Sequence, residues 1–116
     1  MDWHLTAANL GAAITLGLGV MGLVSPHRAA TFVSIRPDGL NGRSELRATY
    51  GGFFLALGLA CLLFQEHAMF LLAGLAWMGA AGGRILSVLI DRNVDGKNII
   101  GIFFEAFVGF LLLMGG

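Results

Sequence analysis

Arg84 and Glu105 stand in stretches that otherwise hold only apolar and small residues. Each lies six residues in from the polar segment 91–98. A helical hairpin turning there brings both to one depth, about 9 Å inside its edge at 1.5 Å per residue. An ionisable side chain in hydrocarbon is costly, and by default it marks a site or a structural fastening. A direct ion pair across the hairpin is one reading of these two residues. An Arg84 that snorkels to the headgroups and a Glu105 that stays protonated in a dry site are the others. Removing one partner of a buried pair typically costs about 3–5 kcal/mol, so a purely structural role is enough to account for them.

A second polar group is Glu45, Arg47 and Tyr50, at the start of another apolar stretch. Arg47 and Tyr50 are three residues apart and share a helix face. With Arg84 and Glu105 they could line a cavity for an anionic headgroup or a small polar ligand. The competing reading is a solvated helix start with ordinary interfacial anchors. No other constellation names a reaction. Ser87 has no histidine near it in sequence and gives no triad signal. His4, His27 and His67 fall at the edges of apolar stretches, where they cannot face each other across a haem, and metal-ligand spacing is absent. Neither a metal nor another cofactor is expected. Cys61, the one cysteine, lies in an apolar run and cannot form an internal disulfide; it reads as a small apolar filler.

The elements that position these residues are set by composition. Of 116 residues, 57% are hydrophobic and 12% charged, against about a quarter charged in a soluble domain. Too little polar surface is present to coat a water-soluble globule, so lipid must solve the burial problem. Apolar runs cover about 5–24, 48–64, 68–90 and 99–114, each near or at the ~20 residues that cross a bilayer. Lipid leaves unpaired backbone groups without partners, so these runs are expected to be helices. The fold expected is all-α, a four-span membrane bundle in a single domain. The second helix is expected to extend back toward Ser44. The start, Met1-Asp2-Trp3-His4, lacks the basic segment of a signal peptide, and no A-x-A-like cleavage site follows the first run, which is read as a retained span. Trp3 fits an interfacial anchor and deep Trp77 fits packing.

Four crossings put both termini and the turn at Gln65-Glu66-His67 on one face, which carries no lysine or arginine. The opposite face holds Arg28, Arg36, Arg43, Arg47, Arg92 and Lys97. The positive-inside rule places that face in the cytoplasm and both termini outside. Within the first connection, Ser25-Pro26 resembles a helix start. A short interfacial helix with Ala29, Ala30, Phe32 and Val33 on the membrane surface, ended by Pro37-Asp38-Gly39, and an ordered loop are equal expectations there.

Small residues crowd the spans. Ala48, Gly52, Ala56 and Ala60 recur every fourth residue. Gly79 and Gly83 form a small-xxx-small pair, and Gly101 and Gly109 flank Glu105. Such faces let helix backbones approach closely where lipid removes the hydrophobic drive. They serve equally for the bundle, a homo-oligomer or a larger membrane complex. Gly17-Leu18-Gly19-Val20-Met21-Gly22 has the spacing of a dinucleotide loop, but that motif needs a preceding strand and an aqueous helix start. Helix packing explains it.

Glu45-Leu46-Arg47-Ala48-Thr49-Tyr50-Gly51-Gly52, with Ala76-Trp77 and Gly83-Arg84-Ile85-Leu86-Ser87, resembles the bacterial family known as domain of unknown function 4345. The resemblance covers most of the chain and implies a small four-helix protein of the bacterial inner membrane. It singles out Glu45, Arg47, Tyr50, Gly51, Gly52 and Arg84, and implies no activity. The role expected is an interaction or accessory subunit of a membrane complex, with lipid around it and no nucleic-acid partner. The second expectation is a lipid or small-molecule binding or transport protein built on the polar residues above. An enzyme is expected least, because no acid–base or nucleophilic set is evident.

Overall fold

A computed structural model describes residues 2–116. Its helices are α1 (Trp3–Val24), α2 (Pro26–Val33), α3 (Gly39–Leu46), α4 (Phe54–Phe64), α5 (His67–Asp91) and α6 (Gly96–Leu113). A π-helical segment, Arg47–Phe53, joins α3 to α4 without a break, so Gly39–Phe64 is one continuous rod. No strand occurs among the described residues. Four helices, at Trp3–Val24, Gly39–Phe64, His67–Asp91 and Gly96–Leu113, are long and apolar enough to cross a membrane. The protein is an all-α, multi-pass membrane protein.

Helix ends follow local chemistry. Asp2 starts α1, its Oδ1 accepting from His4 N at 3.0 Å. Gln65 ends α4 in the left-handed region at φ 53°, and its Nε2 donates to the orphan carbonyls of Cys61 and Leu62 at 3.2 and 2.9 Å. This caps the last turn, where four carbonyls lack helical partners. Arg92 closes α5 in the same backbone region at φ 55°. Asp95 Oδ2 then accepts from Lys97 N at 3.1 Å and opens α6.

The chain forms two compact units, residues 1–11 with 66–116 and residues 12–65. In the first, α5 packs along α6. Its core includes Ala8, Phe70, Trp77, Val108 and Leu112, and Trp77 meets Phe104 edge to face at 6.1 Å. A Cβ on Gly74 would come within 2.8 Å of Leu113 Cγ, and one on Gly109 within 3.1 Å of Gly74 O. His67 Nδ1 donates to Gly115 O at 2.7 Å, tying the start of α5 to the end of the chain.

In the second unit the rest of α1 packs on α4 and the π segment. A Cβ on Gly19 would strike the backbone of Leu55, and one on Gly22 the carbonyl of Tyr50. Two glycines of the dinucleotide-like string, Gly19 and Gly22, thus sit at helix contacts, while Gly17 is exposed and meets nothing within 4 Å. The stripe Ala48, Gly52, Ala56 and Ala60 does not form the packing face. Ala48 and Ala56 are exposed, while Leu46, Gly51, Gly58 and Cys61 are buried. The π turns absorb an extra residue, which rotates the inward face off the period-four row.

The first connection is helical. Proline opens α2, and Ser34 closes it in the left-handed region at φ 62°, three residues before Pro37. The Ser25 side chain makes no cap bond; its Oγ lies 3.3 Å from His27 Nδ1. Ala29 and Ala30 are buried against the protein, which corrects their expected place on the membrane surface, while Phe32 faces outward.

Candidate functional site

The hairpin of α5 and α6 positions the central residues. On α5 the buried row is Phe70, Ala73, Gly74, Trp77 and Ala81, and Arg84 continues it one turn beyond Ala81. Ala76 and Ala80, which precede Arg84 at intervals of four, are exposed. On α6, Asn98, Gly101 and Glu105 stand at i, i+3 and i+7, which is one helix face. The turn of residues 92–95 sets the register so that these two rows meet.

Arg84 reaches Glu105 with two prongs. Its Nε donates to Oε1 at 2.8 Å and its Nη2 donates to Oε2 at 3.1 Å. A third donor, Nη1, reaches Asn98 Oδ1 at 3.1 Å. Asn98 turns its Nδ2 to the carbonyl of Asn93 at 3.1 Å, so the polar group continues into the interhelical turn. The side chains are 28% exposed for Arg84 and 14% for Glu105. Gly101 makes the seat, since a Cβ there would lie 2.9 Å from Arg84 Cζ and Nε. The guanidinium lies close against α6 because no side chain intervenes at Gly101. Planar fork-to-carboxylate geometry is the strong form of this contact, and lysine cannot reproduce it.

Asn98 is not among the residues singled out in the sequence. Its polarity two turns before Glu105 was the available signal. Gly101 was read as packing between helices, and here the packed object is the guanidinium itself.

Glu45, Arg47 and Tyr50 make bonds of their own in the second unit. Thr49 Oγ1 donates to Glu45 Oε1 at 2.8 Å. Arg47 Nε points at the carbonyl of Leu23, near the end of α1, at 3.4 Å. Tyr50 packs its ring on Phe54 at 5.6 Å between centroids. Glu45 and Arg47 are exposed. Arg47 and Tyr50 fall inside the π segment, a distortion common where helices carry function.

The glycines expected to pack divide sharply. Gly51 packs, with a Cβ there 2.9 Å from Leu23 Cγ, and Gly101 and Gly109 pack as described. Gly52 has only ordinary contact, 3.8 Å to Arg47 O. Gly79 and Gly83 meet nothing within 4 Å. Their small surfaces face outward, because the row that meets α6 runs through Gly74 and Trp77 instead. Among the described residues no group of three or more histidine, cysteine or acidic side chains could hold a metal ion.

A family model described as Domain of unknown function (DUF4345) matches residues 6–115. No curated protein and no solved structure matches the chain. The chain belongs to the DUF4345 family.

Proposed function

We propose that this DUF4345 protein is a non-enzymatic subunit of the bacterial inner membrane that docks onto another membrane helix through the outer face of α5. One observation carries the reading. Within the spans Gly19, Gly22, Gly58, Gly74 and Gly109 are closed by neighbouring atoms, whereas Gly17 on α1 and a cluster of three on α5, Gly79, Gly82 and Gly83, have open space where a Cβ would stand. With exposed Ala76 and Ala80 the cluster makes a smooth strip along α5. Lipid alone asks for no glycine there, since glycine costs a helix about 1 kcal/mol relative to alanine. A helix backbone at close range does make use of it. The occupant is a second copy of this chain or a different membrane protein.

Within the subunit Arg84 and Glu105 act as an intramembrane ion pair that fastens α5 to α6. Commitment of three guanidinium donors to Glu105 and Asn98 supports fastening over ligand capture. The side bearing Arg28, Arg36, Arg43, Arg47, Arg92 and Lys97 faces the cytoplasm, and both termini face the periplasm. A cysteine placed at exposed Glu66 is then labelled by an impermeant maleimide from outside in a Cys61→Ala background. One at exposed Val94 is labelled only after permeabilisation, and the reverse pattern overturns the orientation.

Docking is tested by native mass spectrometry from mild detergent. The expected result is an assembly heavier than one chain, reduced to the single chain by Gly79→Leu/Gly83→Leu. Both substitutions point into open space, so the chain itself keeps its fold. A wild-type protein that always flies alone, or a double variant that assembles unchanged, contradicts the proposal.

A further inference from the structure

The segment 25–47 carries four arginines, Arg28, Arg36, Arg43 and Arg47, against two acids, Asp38 and Glu45, a net of +2 by subtraction (4 − 2). All four arginines are exposed. Among the described residues none of the four has a carboxylate within salt-bridge distance. Glu45 instead accepts the Thr49 hydroxyl.

Apolar side chains stand beside these charges. On α2, Arg28 and Phe32 are four apart on the face opposite buried Ala29 and Ala30, and Phe32 is 50% exposed. Along α3 and into the first residue of the π segment, Leu40, Arg43 and Arg47 follow at i, i+3 and i+7, and Leu40 is 77% exposed. Ile35, next to Arg36, is exposed as well. Each short helix therefore pairs an outward apolar anchor with an uncompensated guanidinium. In water the anchors gain nothing. At a bilayer surface they enter the acyl boundary while the arginine stems extend to the phosphates.

We infer that α2 and α3 form a headgroup-reading platform that selects anionic phospholipids over zwitterionic ones. Charge complementarity commits the occupant to an anionic lipid: each arginine near such a surface is worth about 1 kcal/mol, or roughly fivefold in retention. The platform lies on different residues from the α5 strip and stands independently of the docking proposal.

The test uses the full chain in a neutral detergent, titrated with phosphatidylglycerol or phosphatidylcholine and read by native mass spectrometry. Phosphatidylglycerol is expected to be retained at least about fivefold better. Arg28→Gln/Arg36→Gln/Arg43→Gln should abolish that preference, and the corresponding lysine triple variant should keep it. Inorganic phosphate at matched concentration should not displace the lipid, because it lacks the acyl chains that meet Phe32 and Leu40. Helical circular dichroism of both variants verifies the fold. Equal retention of the two lipids, a preference that survives the glutamine variant, or displacement by phosphate overturns the inference.

Discussion

Glu105→Leu is expected to destabilise the protein by about 3 kcal/mol, although leucine suits a lipid-facing helix better than glutamate does. The loss comes from Arg84. With Glu105 gone, two of its donors lose their carboxylate acceptor and its charge stays beside Gly101. Arg84→Leu is expected to lose a similar amount by stranding Glu105, which is the less exposed of the two. Arg84→Lys should recover little of it, because an ammonium offers one point of charge where the carboxylate now receives a fork. Unfolding in mixed detergent micelles, followed by helical circular dichroism, reads these differences. A Glu105→Leu protein as stable as wild type would mean that solvent or snorkelling already satisfies the guanidinium.

The second large effect is a contrast between two identical substitutions. Gly58→Ala is expected to cost about 3 kcal/mol, at the upper end for overpacking. Its new Cβ would lie 2.5 Å from Leu16 N and 2.7 Å from Ala12 O, and backbone cannot step aside as a side chain can. Gly79→Ala should instead be neutral or stabilising by up to about 1 kcal/mol, because it improves helix propensity and meets nothing. Propensity predicts a gain at both positions, so the opposite signs isolate close helix approach. Thermal unfolding of the monomeric protein in detergent measures both. Losses at both sites would show that α5's outer strip is filled within the chain.

Much of this architecture was readable from residue order because hydrocarbon permits so few solutions. Long, almost uncharged apolar runs had to be helices, and their ends fell within a few residues of the structure. The second rod was the exception. It begins at Gly39 rather than near Ser44, since polar Asn41, Gly42 and Arg43 hide a helix that leaves the apolar layer. Counting outward from one turn was enough to set Arg84 opposite Glu105, because helix rise is fixed. Which small residues pack was not readable. Ala48, Gly52, Ala56 and Ala60 keep a perfect period of four in sequence, but the π turns between Arg47 and Phe53 rotate the rod beneath that pattern. No residue type announces such a turn. Gly79 and Gly83 carry the spacing of a packing pair, and spacing alone does not say whether the neighbour belongs to the same chain.

The fastening of α5 to α6 by Arg84 and Glu105 is the claim on which the rest of the account leans, and a double-mutant cycle tests it most directly. Stability is measured for wild type, Arg84→Leu, Glu105→Leu and the double variant under one set of micelle conditions. The double variant is expected to return to near wild-type stability, since two leucines leave nothing stranded. Set against two single losses of about 3 kcal/mol each, a near-zero double loss means a coupling of about 6 kcal/mol, far above the roughly 0.6 kcal/mol average between membrane helices. Additive losses, with a double variant less stable than either single one, would contradict it.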